Sequence, residues 1–312
     1  MKRFIIPFIA TAVLTGTCTH EDLSKCIFNA PVAFTGNMTQ LQTKVSGESW
    51  NTGDSVGIYM IKAGTTLSDA NIVDSYSNKR YSASLSGAQS GFIPFNLTPM
   101  FYPNDGSHVT FLAYHPWSGA ITTDFKLPIN LNNQSNQSAI DILYAPVTST
   151  SFNNATTVPV LLTFKHVLVK LSFSITHSAG AGGLVGGTIT VSIPKQLREG
   201  FLDLKNGLVQ SSGTQGVVTI TSTSGSGTSA VTAEAIVFPG STSGITFSFL
   251  NSAGQLFTAS IPSSHPQWDG GYIYTYVITL EDAVAGTATI TGTITPWGDG
   301  GTYPLTGTEV VP

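Results

Sequence analysis

Short runs in which apolar and polar residues alternate dominate this chain. In "VLVKLSFSI", Val167, Val169, Leu171, Phe173 and Ile175 share one side, and Lys170, Ser172 and Ser174 take the other. That period of two is the signature of a half-buried β-strand. "GYIYTYVITL" sets Tyr272, Tyr274, Tyr276, Ile278 and Leu280 against Ile273, Thr275, Val277 and Thr279, and "ATITGTITPW" repeats the alternation with Ala288, Ile290 and Ile294. Further strands are predicted in "PVAFTGNM" from Pro31, "SVGIYMIK" from Ser55, "HVTFLAYH" from His108, "VVTITS" from Val217 and "GITFSFL" from Gly244. Gly, Asn, Asp, Pro and Ser bound these runs, as turns between antiparallel strands require. The pattern predicts an all-β fold.

Helical signals are few. "SAIDILYA", Ser138 to Ala145, has room for a turn or two, and "QLREGFLDLKNG", Gln196 to Gly207, has mixed character. Neither carries a full amphipathic stripe. The Ser/Thr/Asn-rich segment Val147 to Pro159 reads as a linker or a long crossing loop, and the domain boundary is expected there. A length of 312 residues exceeds what one hydrophobic core usually serves, which predicts domains at 45–158 and 159–312. The glycine-rich stretch His177 to Gly187 is read as a flexible hairpin rather than a nucleotide loop, because no helix follows it.

With 41% hydrophobic and only 10% charged residues, the chain has ample material for a core and does not read as disordered. The 13 Lys and Arg are scattered and the formal charge is −4, so there is no basic stripe to hold a phosphate backbone. Nucleic acid is excluded as a partner on that ground.

The N-terminus addresses the chain for export. Lys2 and Arg3 precede the apolar run Phe4 to Leu14, which Pro7 interrupts and which Thr15, Gly16 and Thr17 follow. The run is shorter than the ~20 residues that span a bilayer, so residues 1–17 read as a secretory signal. Cys18 comes directly after "LTGT", which resembles the lipobox of bacterial lipoproteins; palmitate and other acyl chains on Cys18 would hold the protein at a membrane. The other reading is ordinary cleavage nearby, with Cys18 free to pair with Cys26. Glu21 and Asp22 resemble a sorting signal for the outer surface of an outer membrane, or are a solvated charge pair in a tether.

No catalytic constellation emerges. None of the six histidines, His20, His108, His115, His166, His177 and His265, has zinc-ligand spacing to another histidine or a cysteine, and His166 at a strand start reads as a structural residue. Glu281 and Asp282 are adjacent on a strand end and point to opposite faces, which suits no acid–base pair. The expectation is therefore a protein that is not an enzyme and has no metal or cofactor. Trp117, Trp268 and Trp297 lie at expected strand ends, where they either stack on sugars or cap a core.

Several segments together resemble the fimbrillin family, the type V pilins of Gram-negative anaerobes. They are "CTHEDLSKC", "KVSGESWNTGDSVGIYMI" from Lys44, "FYPNDGSHVTFLAYHP" from Phe101, "SAIDILYA", "LTFKHVLVKLSFSI", "GYIYTYVITL" and "ITPWGDGG", in family order along nearly the whole chain. The resemblance implies two tandem transthyretin-like antiparallel β-sandwich domains and assembly with other pilus subunits by donor-strand exchange. Residues 18–44 would then be a tether and removable leader strand, with Val32 and Phe34 facing a groove. A strand burying about five apolar side chains would gain on the order of 10 kcal/mol before ordering costs. Cleavage in the family follows an arginine; here the corresponding place is Lys44, before Val45, so an arginine-specific protease would cut poorly. The implied location is an outer-membrane lipoprotein at the cell surface, and a pilus after maturation, with a surface receptor or glycan as a further partner. The tail after Trp297 is short and Pro304 breaks its alternation, which favours a tip or minor subunit over a shaft subunit. A non-polymerising glycan-binding lipoprotein or a pilus anchor are the competing readings.

Overall fold

The structure is a computed structural model of the chain and describes residues 31–38, 49–177, 187–223, 230–261, 263, 265–280, 288–296 and 304–306. The first strands are β1 (Phe34–Met38), β2 (Ser55–Lys62), β3 (Lys79–Ala83), β4 (Gln89–Pro94), β5 (Val109–His115), β6 (Lys126–Asn130), β7 (Leu143–Ala145) and β8 (Val160–His166). A single helical turn, α1 (Gln137–Ile140), precedes β7. There follow β9 (Val169–His177), β10 (Thr188–Gln196), β11 (Glu199–Asp203), β12 (Leu208–Ser212), β13 (Gly216–Thr223), β14 (Ala230–Val237) and β15 (Gly240–Ser241). The last are β16 (Thr246–Asn251), β17 (Leu256–Ser260), β18 (Gln267–Trp268), β19 (Tyr272–Leu280), β20 (Ala288–Pro296) and β21 (Pro304–Thr306).

The fold is all-β, but its first part is not two separate sheets. Its strands close into a barrel in the order β1-β4-β3-β2-β5-β7-β8. Closure depends on β1, which pairs antiparallel with β4 (Phe34 opposite Phe92) and parallel with β8 (Phe34 opposite Val160). The boundary expected at 158/159 therefore falls too early. Val160, Leu162 and Phe164 alternate inward from β8 into the same core as Phe34 and Phe111, so β8 belongs with the barrel. The Ser/Thr/Asn-rich segment is a crossing loop that lies on β5, where Phe152 and Val109 exchange backbone hydrogen bonds of 2.8 and 2.9 Å.

The later strands form a sandwich. A four-stranded sheet, β13-β10-β16-β17, faces a five-stranded sheet, β14-β9-β19-β20-β21. Phe173, Tyr276, Phe247 and Phe249 fill the core between them with inward residues from both sheets. The strands are mostly antiparallel, as expected, with β9–β19 joining β1–β8 as parallel pairs.

A third sheet, β12-β11-β6, ties the two parts together by pairing β6 with β11, Leu127 opposite Leu202. Gln196–Gly207 is thus largely strand and turn rather than helix. Behind this sheet Tyr59, Leu112, Tyr114, Leu202, Ile236 and Phe238 form a junction core. It explains why β2 and β5 read as nearly continuous apolar runs. Ile58, Met60, Phe111 and Ala113 face the barrel core while Tyr59, Ile61, Leu112 and Tyr114 face the junction, so both sides of each strand are dry.

Candidate functional site

The slot that β1 fills is the most specialised place in the barrel. Its backbone is held from both sides. Val32 N–H donates to Met100 O at 2.9 Å, Val160 N–H donates to Ala33 O at 2.8 Å, and Met38 N–H donates to Ala88 O at 3.3 Å. Alternation turns Val32, Phe34, Gly36 and Met38 inward, and all four are buried. Val32 and Phe34, singled out from sequence, are 4% and 3% exposed and share one core. Phe34 stands edge-on between Tyr81 and Phe111, at ring-centroid distances of 5.2 and 5.0 Å, a favourable arrangement of ring quadrupoles. Tyr81 is itself fixed, its Oη accepting from Met100 N–H at 2.8 Å; burial pushes its phenol up to about 12, which keeps it neutral.

Gly36 marks a constriction. A methyl group at this position would lie 2.6 Å from Phe92 Cζ and 3.1 Å from Phe164 Cε2, closer than atoms pack. Below the two rings lies Trp50, fully buried and edge-on to Phe92, Phe164 and His115 at 5.2, 5.0 and 5.5 Å. Gly36, Phe92, Phe164 and Trp50 were not picked out from the sequence as site residues. The available signal was the glycine at an inward position of "AFTGNM", since glycine inside a strand marks a close approach.

At the Met38 end the slot opens onto a polar cleft of about 370 Å³ whose lining includes Asn51, Asp54, His115, Asp141, Lys170 and Glu234. His166 Nδ1 donates to Asp141 Oδ1 at 2.8 Å, the structural role expected of that histidine, and Lys170 Nζ pairs with Glu234 Oε2 at 2.7 Å. His115 Nδ1 donates to Ser55 O at 2.9 Å, and burial lowers its pKa. Lys170 with Glu234, Asp141 with His166 and His115 with Ser55 O are thus each held by a protein partner, which gives these groups a structural role. Among the described residues no group of three or more His, Cys, Asp or Glu is arranged to hold a metal ion.

Cys18, Lys44 and Val45 lie outside the described residues, as do Trp297, Glu281 and Asp282. Of the other tryptophans, Trp268 is buried and donates from Nε1 to Tyr276 Oη at 2.8 Å. Trp117 is half-buried, with the Arg80 guanidinium 5.0 Å from its ring.

Comparison with known proteins agrees with this architecture. A family profile described as "Fimbrillin-like" matches residues 43–297. A candidate fimbrium subunit of Bacteroides uniformis, Fim1C, is 27% identical over 293 residues, covering 90% of this chain and 91% of that one. The crystal structure of a candidate cell adhesion protein from B. uniformis has a TM-score of 0.70 at 23% identity, over 86% of this chain and 98% of its own. A second, from Bacteroides ovatus, has a TM-score of 0.67 at 21% identity, over the same shares. The tip fimbrial protein Mfa3 of Porphyromonas gingivalis, truncated at its C-terminus, has a TM-score of 0.50 at 8% identity, over 86% of this chain and 100% of its own. At these identities the structures speak for the fold alone.

Proposed function

The chain belongs to the fimbrillin-like family, and we propose that it is a cell-surface pilus subunit assembled by exchange of the strand in the β1 slot. One observation carries the reading: β1 is a short N-terminal strand that alone closes a barrel between β4 and β8. Take it away and two strand edges are left unpaired above an apolar trough. Such an edge is a template for another extended segment.

In this reading the chain is exported on its signal, acylated on Cys18, and carried to the outer membrane. Cleavage between Lys44 and Val45 then frees residues 18–44, and a neighbouring subunit supplies a replacement strand. The inward set is smaller than five large side chains. It is Val32, Phe34 and Met38, with glycine between the last two. At ~1.5–3 kcal/mol each, their burial is worth roughly 5–9 kcal/mol before ordering costs, to which the two backbone ladders add. A subunit at the tip need only receive a strand; one in the shaft must also donate, and residues 298–312 decide between the two.

The glycan-binding alternative loses support from the tryptophans that are described, since Trp268 is buried and the Trp117 ring is covered by Arg80. N-terminal sequencing of the protein from cell-surface material, with a gel run on unboiled samples, tests the proposal. A ladder of bands starting at Val45 is expected. A single lipidated species starting at Cys18 would overturn maturation and leave an anchor or a binding lipoprotein.

A further inference from the structure

The outer side of the barrel carries a cation with no partner. Arg80 lies on β3 next to the inward Tyr81, and its guanidinium is 4.3 Å from the centre of the Phe95 ring and 5.0 Å from that of Trp117. Its side chain makes no ion pair or hydrogen bond with any described residue, and Nε is buried without an acceptor. A guanidinium held between two ring faces can hydrogen-bond only along its edge, so the terminal nitrogens are what it has left to offer. We infer that Arg80 is a binding site for a carboxylate, and that the ligand is an Asp or Glu of a protein partner with apolar side chains beside it.

The clamp is fixed by the framework around it. Trp117 N–H donates to Ser55 O at 2.9 Å and its Nε1 donates to Asn78 O at 3.1 Å, which sets the indole in place. Asn78 Nδ2 donates to Ser118 O at 2.8 Å, and Tyr114 Oη donates to Asn78 Oδ1 at 2.6 Å. Gly57, opposite Arg80 in β2, leaves room for this cluster: a methyl group there would lie 2.6 Å from Asn78 Oδ1. The arginine therefore has little freedom to lose when a ligand arrives. Its planar fork matches the two oxygens of a carboxylate, to which it can donate two parallel hydrogen bonds.

What surrounds the clamp separates a protein carboxylate from an acidic sugar. A sugar acid needs partners for its hydroxyls, and the polar groups of Asn78, Tyr114 and Trp117 are already engaged with one another. The open neighbours are apolar: Ile93, Phe95 and Leu97 are 55%, 46% and 88% exposed, and the turn Phe95–Leu97 packs beside β3. Asn96 and Leu97 both have a φ of 56°, in the left-handed region that disfavours leucine. The chain thus holds a large apolar side chain out in water, on an unfavourable backbone, next to an unpaired arginine. An arginine among aromatic and aliphatic side chains has the make-up of the centre of a protein interface, and charge complementarity gives the partner an acid. None of these residues belongs to β1, so the site does not depend on strand exchange.

The test uses the full chain, isotope-labelled and carrying Cys18→Ala to prevent acylation. Three probes are titrated while the Arg80 Nε–H resonance, assigned by its loss in Arg80→Lys, is followed by NMR. They are an acetylated, amidated leucyl-glutamyl-leucine peptide, the same peptide with glutamine for glutamate, and galacturonate. The glutamate peptide should shift the resonance saturably. The glutamine peptide should bind roughly ten- to a hundredfold more weakly, as loss of a charged hydrogen-bond acceptor predicts. Leu97→Asn should weaken the glutamate peptide several-fold without lowering the urea midpoint, since asparagine suits a left-handed backbone better than leucine does. No shift with the glutamate peptide, or equal binding of the glutamine peptide, would overturn the carboxylate site. Galacturonate binding as tightly as the glutamate peptide, or an unchanged affinity in Leu97→Asn, would leave the carboxylate site standing and overturn the apolar protein partner.

Discussion

Trp50 stands edge-on to Phe164, ring centroids 5.0 Å apart and planes at 79°. The indole supports the two rings that pinch the slot, yet it belongs neither to β1 nor to any neighbour of β1 in the barrel. The floor of the slot is therefore not part of the strand that fills it, and in the proposed exchange it would stay behind.

Trp50→Ala should destabilise the precursor and the leader-free chain alike, by about 3–5 kcal/mol, the usual cost of emptying a large aromatic site. Urea unfolding of both forms measures this. An effect confined to the precursor would place Trp50 with the leader instead.

Phe34→Ala should behave differently. It empties the place between Tyr81 and Phe111 and should cost the precursor about 3–5 kcal/mol, while a chain from which the leader has been cut and removed should unfold as wild type does. The same pair of urea curves decides it, and a loss in both forms would count against a removable strand.

How much of this was legible in the sequence depends on the strand. β8 keeps one regular alternation throughout, and β9 and β19 keep it over Leu171–Ile175 and Tyr274–Leu280, so burial there follows from the order of residues. β2 and β5 serve two cores at once, which erases alternation and hides the junction between the parts. Val32 and Phe34 could be picked out because apolar residues at every second place announce a buried side. The parallel pairing of β1 with β8 could not, because Phe34 and Val160 are brought together by the whole path of the barrel between them. The boundary was misjudged for the same reason: a polar crossing loop and a linker have the same composition. Gly36 was visible as a letter, but the rings that give it meaning come from distant strands.

The junction offers a third prediction. Gln134 Oε1 accepts from Ile236 N–H at 2.9 Å and its Nε2 donates to Ile236 O at 3.0 Å, so one side chain satisfies both backbone groups at the edge of β14. Gln134→Ala should cost roughly 1–3 kcal/mol by leaving those groups without protein partners. Hydrogen exchange at the Ile236 amide should speed up, with amides inside the barrel unchanged.

Acid should weaken the same region through His115. Burial lowers its pKa below the ordinary 6.5, with the hydrogen bond to Ser55 O and then Asp54 and Asp141 offsetting part of the effect. The unfolded chain then binds the proton more readily than the folded one. Stability from this group is fully present above pH 6.5 and declines as pH falls below 6.5 towards the folded value. His115→Asn keeps an N–H donor for Ser55 O and removes the titration. Its urea midpoint should fall less between pH 7.5 and 5 than that of the wild type, and parallel curves would rule the histidine out.

The placing of β1 between two ladders also has a mechanical meaning. A strand drawn along its own axis while held on both edges is loaded in shear, so its bonds to β4 and β8 must yield together. Peeled sideways from an end, the same strand gives way one bond at a time. Pulling along β1 should therefore need a higher rupture force in single-molecule experiments than pulling across it. The slot is strongest along the axis of the strand it holds.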